Sequence, residues 1–530
     1  MAVATARTVS LQGAVGHVVD VQVDVSQGIV AMVLVGRPDA SINEGRDRCR
    51  TAIANSGYEW PSTRRVTILL SPADLPKRGP HFDLAMAVGV VAATTEGFPV
   101  ESLERTVLIG ELTLDGRLRP VPGVLPMTMA AAARGIDRVF VPEPQLPEAA
   151  MVPGMSVFGM RSLAQVVAEL CGNEVPDAPP VEPLSGSPLL SWRGEERLTD
   201  LDLADIDGME DARFALEVSA AGGHHLMLSG PKGAGKTTLA ERLPGILPDL
   251  TLEESLELTA IHSLAGVLDP GSGLITRPPF VAPHHNASRN SILGGGSGRV
   301  RPGEVSRAHC GVLFLDEFGL FATDIIEGLR QPLENGEVTI ARGDETATYP
   351  TRGMFVVASN PCPCGDYHPM QRDNNCTCRE VQRREYRAKL SGPIVDRIDI
   401  TRNVTPVRQG GRGRDPLGNE PSAPVRERVM AARERQAQRY VDRSWRLNSQ
   451  APGPALRQDW PLTDDAQQLV DDHLLSGALT RRGATRVHRL AWTVADLAGR
   501  NQPGRGDART ALDLRLGKPL LVSAMQRRAG

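Results

Sequence analysis

Alternation between apolar and polar residues characterises the first part of the chain. Val19, Val21, Val23 and Val25 alternate with polar residues, a period of two that predicts a strand with one solvated face. Ser41-Ile42-Asn43-Glu44 has the form of a capping box, which predicts a helix that ends near residue 57. Other segments predict strands at 29–35, 66–70 and 138–141, a strand or hairpin over 106–118 that turns at Asp115-Gly116, and helices at 82–95 and 127–134. Residues 1–172 are therefore typical of an α+β domain.

From residue 201 onward, short apolar runs alternate with helical segments, which predicts an α/β core over 201–405. The predicted elements are buried strands at 225–229, 311–315 and 354–358, a helix at 325–333, and a hairpin formed by 336–340 and 346–349 with Arg342-Gly343-Asp344 at its turn. The last region, 425–530, is predicted to be helical, with helices at 425–445, 462–475 and 484–499. The arginines of the first of these helices are interpreted as a solvated helical face.

Two stretches have compositions that cannot build a core. Residues 173–200 are rich in Pro, Ser, Gly and acidic residues, and we expect a linker there. Residues 406–424 are rich in Gly, Arg and Pro, which predicts a flexible connector. These stretches divide the 530 residues into three parts, in agreement with the usual ~100–200 residues per domain.

Composition narrows the classes of function. The net charge is −4, so the chain as a whole has no basic field, and any DNA-binding surface must be local. The longest apolar run, Leu84–Ala93, is too short to cross a bilayer, and the N-terminus lacks the pattern of a signal peptide. We therefore expect a cytoplasmic protein without a membrane partner. Four of the 7 cysteines lie between residues 362 and 378, and in a reducing compartment such a cluster favours metal binding over disulfides.

The stretch Gly230–Thr237 fits G-x-x-x-x-G-K-[ST], the pattern of a phosphate-binding loop. A predicted strand precedes it and a predicted helix at 238–243 follows it, an order that lets backbone N–H groups and a helix N-terminus bind phosphate oxygens. A chance Gly-rich turn is the alternative, and this context argues against it. We expect Lys236 to reach the β- and γ-phosphates of ATP and Thr237 to hold Mg²⁺. The predicted nucleotide-binding residues are Gly230, Pro231, Lys232, Gly233, Ala234, Gly235, Lys236, Thr237 and Thr238.

The predicted strand at 311–315 ends in two acidic residues, the expected partners of the phosphate loop. Asp316 would complete the Mg²⁺ coordination, and Glu317 would orient or deprotonate the attacking water. A helix cap at Asp316 is the alternative. The strand at 354–358 ends at Ser359-Asn360, where a polar side chain can contact the γ-phosphate or the attacking water.

Lys236 and Asp316 are 80 positions apart, more than one strand–helix–strand unit requires. The additional residues include 277–285 and 294–299, which we interpret as an insertion within the second helix of the core. His284 and His285 lie in this segment and invite a metal site. Adjacent histidines rarely bind one ion without further ligands, so structural roles are favoured.

The cysteines form a cluster directly after Asn360. Cys362-Pro-Cys364 and Cys376-Thr-Cys378 are separated by 11 residues within the loop 361–379. Four thiolates in one loop can bind Zn²⁺ tetrahedrally, so we expect a structural zinc site, although C-x-x-C spacing is more usual than C-x-C. Four free thiols, or a site in which His368 replaces one cysteine, are the alternatives.

The N-terminal region resembles the protease domain of Lon, which has a ribosomal S5 domain 2-like fold. The resemblance is carried by Lys77–Asp83, Gly110–Gly116 and Ala133–Pro142. That family uses a Ser–Lys pair; its serine aligns with His81 and its lysine with Leu125, so peptide hydrolysis by that mechanism is not supported. The resemblance implies a non-proteolytic domain for binding or assembly, with a protein partner as one option. His81 is interpreted as a structural or surface histidine.

The order of motifs after residue 201 resembles AAA+ ATPases, in the clade that contains magnesium chelatase subunits and MCM helicases. Pro279–His285, Arg301–Glu304 and Ser391–Asp399 narrow the resemblance to the YifB/ComM family of magnesium-chelatase-like ATPases, and it extends nearly end to end. It implies a parallel sheet flanked by helices, followed by a C-terminal helical lid. The family has a similar cysteine knuckle.

The same resemblance implies the remaining catalytic residues. Asn360 would be sensor 1, and Arg397 would be the arginine finger that acts on ATP bound to a neighbouring subunit. Arg482 would be sensor 2, carried onto the nucleotide as the lid closes. Arg481 precedes it directly and is the alternative for that role.

By this resemblance the chain is a ring-forming homo-oligomer, expected to be a hexamer, that uses ATP and Mg²⁺ to move single-stranded or branched DNA, as ComM does in branch migration during natural transformation. Four arginines are expected to face a central pore, with ordinary surface arginines as the alternative: Arg289, Arg299, Arg301 and Arg342. The alternative function is a chelatase-type motor that remodels a protein partner for metal insertion into a tetrapyrrole. Against it, Asp24–Gly28 stops short of a D-x-S-x-S metal-adhesion motif.

Overall fold

The computed structural model describes residues 3–183, 198, 201–268, 273–296, 300–342, 345–367, 376–390, 393–405, 419–521 and 525. Most of the predicted linker (173–200) and of the predicted connector (406–424) lies outside the described residues, as do Arg299, His368 and the predicted turn residues Gly343 and Asp344. The part of the chain that the structure describes has no helix that is both long and apolar enough to cross a membrane.

The N-terminal region is an α+β unit built on two small sheets. Its elements are β1 (Val3–Gln12), β2 (Val15–Ser26), β3 (Met32–Val35), α1 (Ala40–Asn55), β4 (Arg65–Ser71), α2 (Asp83–Thr94), β5 (Thr106–Leu108), β6 (Glu111–Leu112), β7 (Leu118–Arg119), α3 (Val124–Ala133), β8 (Arg138–Pro142), α4 (Leu146–Ala149), β9 (Ser156–Met160) and α5 (Leu163–Cys171). One sheet has the order β1-β2-β4-β3, the other has the parallel order β5-β8-β9, and β6 and β7 form a hairpin. The alternating valines of β2 are buried against α2, as their period predicts.

Several N-terminal boundaries differ from the predicted ones. The sequence pattern predicts no strand at Val3–Gln12, yet β1 pairs with β2 along its whole length; small or polar residues at its buried positions weaken the apolar alternation. Strand β3, which the sequence predicts at 29–35, begins at Met32. Helix α1 is capped by Asp39, whose Oδ1 accepts a hydrogen bond from Ile42 N at 2.9 Å, so the capping box predicted from Ser41 is wrong. Only the end of 106–118 forms a hairpin, because β5 pairs in parallel with β8.

The central region contains a five-stranded parallel sheet with helices around it. Its elements are α6 (Glu210–Gly222), β10 (Leu226–Ser229), α7 (Lys236–Ala240), α8 (Leu243–Ile246), α9 (Leu252–Ala265), β11 (Phe280–Val281), α10 (Arg289–Leu293), β12 (Gly294–Gly295), β13 (Arg301–Pro302), α11 (Glu304–Arg307), β14 (Val312–Leu315), α12 (Thr323–Gly328), α13 (Arg330–Asn335), β15 (Glu337–Arg342), β16 (Glu345–Pro350), β17 (Met354–Ser359), α14 (Glu380–Leu390), α15 (Pro393–Arg397) and β18 (Ile400–Asn403). The sheet order is β11-β14-β17-β10-β18.

The strand order places the predicted site at one edge of the sheet. All residues of β14 and β17 are buried, which is why they appear in the sequence as continuous apolar runs. Because all five strands are parallel, the loops that follow β10, β14 and β17 leave the sheet at the same edge. Gly230, Asp316 and Asn360 are the first residues of these loops.

The predicted helix insertion is smaller than expected. Residues 277–285 contain β11, which pairs in parallel with β14, so this stretch belongs to the sheet and not to an insertion. The hairpin β12–β13 lies between the short helices α10 and α11. It contacts the larger hairpin β15–β16, where Gly294 lies close to the side chain of Ile340.

The C-terminal region is helical, with α16 (Ser422–Arg439), α17 (Gly453–Asp459), α18 (Asp464–Leu475), α19 (Arg481–Leu497) and α20 (Arg505–Leu516). The prediction includes neither α17 nor α20. The arginines of α16 are not simply a solvated face: Arg428 Nε lies 2.6 Å from Glu217 Oε1, and Arg433 donates to the carbonyl of Ala220. These contacts attach α16 to α6 and thereby to the sheet.

The N-terminal unit packs directly on the central region. Ser263 Oγ in α9 lies 2.6 Å from Glu148 Oε1 in α4. Leu125, at the position of the Lon lysine, is buried beside Ala260 of α9. His81, at the position of the Lon serine, is buried, with Nε2 2.7 Å from the carbonyl oxygen of Val9. Both positions are therefore occupied by structural side chains in the interior of the chain.

Candidate nucleotide-binding site

The predicted phosphate loop connects β10 to α7 in a strained backbone path. Gly233 and Gly235 have φ values of 74° and 84°, in the left-handed region that favours glycine. At Gly230, a β-carbon would lie 2.2 Å from the carbonyl oxygen of Val404, so a larger residue does not fit. The loop ends at Lys236, the first residue of α7, and the N-terminus of α7 therefore faces the space that the loop encloses.

Lys236 connects the loop to the end of β17. Its Nζ donates hydrogen bonds to the carbonyl oxygens of Gly230 at 2.8 Å and Pro231 at 2.9 Å, and to Asn360 Oδ1 at 2.9 Å. Burial lowers the pKa of Lys236, while the charges of Asp316 and Glu317 oppose that shift. An ammonium group held at the mouth of a Gly-rich loop can bind anionic phosphate oxygens.

Thr237 and Asp316 supply oxygen ligands suited to Mg²⁺. Thr237 Oγ1 donates to Asp316 Oδ2 at 3.0 Å, and the other carboxylate oxygen accepts from the backbone N–H of Glu317 at 2.8 Å. A hydroxyl and a carboxylate at this distance match the hard oxygen ligands that Mg²⁺ takes beside nucleotide phosphates. The residues present therefore fit the predicted magnesium site.

Glu317 has a partner that the sequence prediction misses. Glu317 has φ 50°, and its Oε2 lies 3.4 Å from His285 Nδ1. The ring of His284 stacks on that of His285 at 4.2 Å between centroids, and its Nδ1 accepts from Asn286 N at 3.2 Å. His285 follows β11, which pairs with β14, and Glu317 follows β14. A sequence interpretation that places 280–281 in the parallel sheet would therefore predict that His285 lies near Glu317.

Tyr386 of α14 is a second residue that the prediction misses. Its ring is buried directly against Gly319, in the turn that follows Glu317. Its hydroxyl accepts a hydrogen bond from the backbone of Asn360, and burial raises the pKa of Tyr386 to about 12. The tyrosine therefore connects Asn360 to the turn that follows the acidic pair.

The two arginines implied by the family resemblance, in α15 and α19, both contact Glu334 of α13. Arg397 Nη2 is 2.5 Å from Glu334 Oε1, and Arg482 Nη1 is 3.7 Å from the same oxygen. The side chain of Arg397 is 10% exposed and that of Arg482 is 68% exposed. Arg482, and not Arg481, makes this contact with Glu334. The catalytic roles of both arginines stay predictions.

The four clustered cysteines meet beside the phosphate loop. Their sulfur atoms all lie within 4.8 Å of one another, and three of the separations are 3.3 to 3.6 Å. Zinc–sulfur bonds of about 2.3 Å in a tetrahedron require sulfur separations slightly larger than these, so Cys362, Cys364, Cys376 and Cys378 fit a zinc ion with little movement. Lys232 N lies 3.4 Å from the carbonyl oxygen of Gly365, so the cluster also contacts the phosphate loop.

Three of the arginines predicted to contact DNA are exposed on neighbouring elements. Arg289 lies in α10, Arg301 in β13 and Arg342 at the end of β15. The hairpins that carry Arg301 and Arg342 contact each other, so the two arginines lie on adjoining elements. One face of the larger hairpin is covered, because Tyr349 and Ala347 pack against the N-terminal unit.

Comparisons with known proteins agree with this architecture. Three family models match: "Magnesium chelatase, subunit ChlI" at residues 202–411, "Subunit ChlI of Mg-chelatase" at 21–145 and "Magnesium chelatase, subunit ChlI C-terminal" at 419–515. An N-terminal segment is similar to the Lon protease of Rhizobium meliloti, at 27% identity over 24% of this chain and 16% of that protein. The predicted AAA+ core and Lon-like N-terminal fold are thereby confirmed.

Similarity to whole proteins covers nearly the entire chain. An uncharacterized protein of Mycobacterium tuberculosis is 46% identical over 97% of this chain and 99% of its own. YifB of Escherichia coli is 38% identical over 90% of each chain, and the competence protein ComM of Haemophilus influenzae is 35% identical over 92% of this chain and 93% of its own. Such similarity suggests an ATPase that takes ATP and Mg²⁺. The chain belongs to the YifB/ComM family of magnesium-chelatase-like AAA+ proteins.

Proposed function

We propose that the protein is a ring-forming AAA+ ATPase that couples ATP hydrolysis to DNA translocation or branch migration. The observation that carries the ATPase part is the meeting of Lys236, Thr237, Asp316, Glu317 and Asn360 at one edge of the parallel sheet. Each contributes a group that phosphoryl transfer to water requires: a cation, two metal ligands, a base and a polar orienting group.

In this proposal, the residues act on the γ-phosphate and the attacking water. Lys236 transfers its hydrogen bonds from loop carbonyls to phosphate oxygens. Thr237 and Asp316 would hold Mg²⁺, which would supply positive charge beside the phosphates. Glu317 accepts a proton from the attacking water. Asn360, already bonded to Lys236, orients that water or a γ-phosphate oxygen.

Assembly completes the site in this proposal. Arg397 and Arg482 share Glu334, whereas the residues around the phosphate loop form a different set of contacts. In this proposal Arg397 acts on the nucleotide of the neighbouring subunit, and Arg482 is carried onto the nucleotide as the lid closes. An arginine finger accelerates related reactions by ~10³–10⁵, so hydrolysis is expected to require the ring, which we propose is hexameric.

DNA is the proposed substrate of the motor. The exposed arginines of the two contacting hairpins, Arg301 and Arg342, support contacts to phosphates without sequence preference. Similarity to a competence protein also supports DNA as the substrate, and we propose branched recombination intermediates as the DNA structure that is bound. Zinc at the cysteine cluster is proposed as a structural cofactor, and the cytoplasm as the compartment.

The test is an ATPase and strand-displacement assay with single-stranded, forked and four-way-junction DNA. DNA is expected to raise the turnover number, and ATP is expected to drive displacement of a labelled strand, with AMP-PNP as the inactive control. If no DNA stimulates ATP hydrolysis and no DNA binds at low salt, the proposal that DNA is the substrate is contradicted. The chelatase-type motor then stays as the alternative, supported by the match to the magnesium chelatase family model.

A further inference from the structure

Helix α14 carries an exposed basic face. Arg379, directly before the helix, Arg383 and Arg387 are spaced by four residues, so they lie along one side with a rise of about 6 Å from each to the next. Arg384 and Lys389 flank this row, and these five residues are called the basic face below. The segment 376–390 contains five basic and two acidic residues, whereas the net charge of the whole chain is −4.

The basic face has an aromatic side chain beside it. The guanidinium carbons of Arg383 and Arg387 lie 4.6 Å and 4.9 Å from the ring centroid of Tyr367. Within the described ranges of the chain, no carboxylate forms an ion pair with a residue of the basic face. A row of unneutralised cations next to an aromatic ring is the combination that binds single-stranded nucleic acid, because phosphates contact the cations and bases stack on rings and guanidinium planes.

The same helix contacts the nucleotide site through Tyr386, which lies one helical turn from Arg383. The ring of Tyr386 is buried, packs on Gly319 and bonds to the backbone of Asn360. The cysteine cluster links Asn360 to the start of α14. Cys362 lies two residues after Asn360, and Cys378 lies two residues before the helix. A ligand bound to the basic face would therefore contact a helix that itself packs on the turn after Glu317.

We propose that the basic face of α14, with Tyr367, is a binding surface for single-stranded nucleic acid, and that Tyr386 transmits its occupancy to the ATP site. The proposal rests on the ATPase function proposed above, and it adds a surface outside the hairpin arginines. Bound strand would hold α14 against Asn360 and the turn after Glu317, and thereby raise the rate of hydrolysis.

The first test compares two triple charge reversals. R379E/R384E/R387E removes three cations from the basic face, and R134E/R457E/R505E makes the same charge change at exposed arginines elsewhere. Binding of fluorescent oligo-dT is measured by anisotropy between 50 and 300 mM salt. We expect R379E/R384E/R387E to bind at least about tenfold more weakly and to lose about 2 from the slope of log K against log salt, since single strands contribute ~0.7 per phosphate contact. Equal binding by both variants would overturn the proposal.

Two further arms separate this proposal from the proposed function. R301E/R342E tests the hairpins: if only that variant loses oligo-dT binding while the basic-face variant binds normally, the basic-face proposal fails and the DNA motor stands. Polyglutamate serves as a competitor, and binding of polyglutamate without oligo-dT would identify an acidic protein partner and overturn the nucleic-acid assignment. Basal ATPase activity is expected to be unchanged in R379E/R384E/R387E.

The coupling is tested with Tyr386→Phe, which keeps the ring in place and removes the hydroxyl. Oligo-dT affinity is expected to stay within about twofold of the wild type, because the hydroxyl that is removed bonds to the backbone of Asn360 and the buried ring stays in place. The ratio of DNA-stimulated to basal turnover is expected to fall at least about threefold. An unchanged ratio would refute transmission through Tyr386, and a loss of affinity would show that Tyr386 supports the binding surface itself.

Discussion

Glu317 follows β14 and Asp316 in a left-handed backbone conformation, and its carboxylate lies beside His285. Its neighbour Asp316 contacts Thr237, so the two adjacent acids have separate environments and are suited to separate tasks. Metal binding needs Asp316 close to the phosphate loop, whereas activation of water needs a carboxylate with access to solvent.

Glu317→Gln is expected to reduce ATP turnover by at least about 10², the range typical of a general base, because the amide cannot accept the proton of the attacking water. ATP affinity, measured with a fluorescent analogue, should change little, and ATP-dependent oligomer formation should persist. A control variant, Glu327→Gln, alters an exposed glutamate in α12. Normal turnover in Glu317→Gln would remove this residue from the catalytic role.

His285→Ala is expected to lower the turnover number by about 10-fold while KM for ATP changes less than about twofold. The imidazole 3.4 Å from Glu317 Oε2 orients the base rather than binding the nucleotide. His285→Asn should recover part of the turnover, since its amide can donate to the carboxylate. His284→Ala is the matched control, because the ring of His284 stacks on its neighbour and its Nδ1 bonds to Asn286. Equal losses in both alanine variants would contradict the specific role of His285.

At the scale of elements, the cysteine loop and the strand ends decide how firmly the site is held. The carbonyl of Gly365 accepts a hydrogen bond from Lys232 N, so the turn that contains Cys362 and Cys364 also supports the phosphate loop. His225, before β10, accepts from Phe355 N at 3.2 Å and donates its own N–H to Asp399 Oδ2 at 3.1 Å. The cysteine loop therefore supports the edge of the sheet at the phosphate loop, and His225 joins β10, β17 and β18 at the opposite edge, where these strands begin.

The purified protein is expected to contain about one zinc ion per chain, and Cys364→Ser/Cys376→Ser should lose it, since two ligands cannot hold the ion in a structural site. Removal of zinc should also weaken ATP binding, because the Gly365 contact to the phosphate loop loosens. Cys171→Ser, in α5, is the control. Metal analysis that finds less than about a third of an equivalent in the wild type would contradict the zinc site.

A pH dependence follows from His225. Burial lowers the pKa of His225 to about 4, while Asp399 opposes that shift. The folded state therefore binds fewer protons than the unfolded state between pH 6.5 and 4, so the stabilisation is full above pH 6.5 and is lost as the pH falls toward 4. The total is at most about 3 kcal/mol. His225→Asn should flatten the decline in unfolding temperature between pH 6.5 and 4.5, with His17→Asn as the control; an unchanged decline would refute the assignment.

At the scale of the whole molecule, the proposed function makes the ATP site one that two subunits share, with Arg397 supplied by the neighbour. The side chains of Arg397 and Arg482 both contact Glu334, on a helix that precedes the hairpin β15–β16. A ring of heterologous contacts would bring this surface of one subunit to the phosphate loop of the next. Catalysis would then be a property of the assembly.

Mixtures of inactive variants test this arrangement. Arg397→Ala subunits keep an intact phosphate loop, and Lys236→Ala subunits keep the arginine, so each variant alone should be nearly inactive. In a 1:1 mixture, about a quarter of the interfaces join an intact phosphate loop to an intact arginine, and activity should recover toward that fraction of the wild-type rate. No recovery, with mixed rings verified by mass spectrometry, would contradict action between subunits.

Prediction from the sequence succeeds where one local pattern has one structural meaning. The phosphate loop, the paired acids after β14 and the cysteine cluster are recognisable because chemistry restricts the residue types at each position. Prediction fails where long-range contacts decide. Strand β1 has a weak apolar pattern and exists because it pairs with β2. Strand β11 is only two residues long, which is too short for its periodicity to identify a strand, so the sequence favours an insertion there.

The sequence by itself determined the family, the α/β character of the core and the residues with which it would bind a nucleotide, since these depend on motifs that are contiguous in the chain. Only the tertiary structure decided which distant residues meet. His285 lies beside Glu317, Tyr386 contacts Asn360, and Arg397 and Arg482 meet at Glu334. Sheet order and helix packing produce these contacts, and no local spacing encodes them, because the elements that carry them are brought together only when the core is buried.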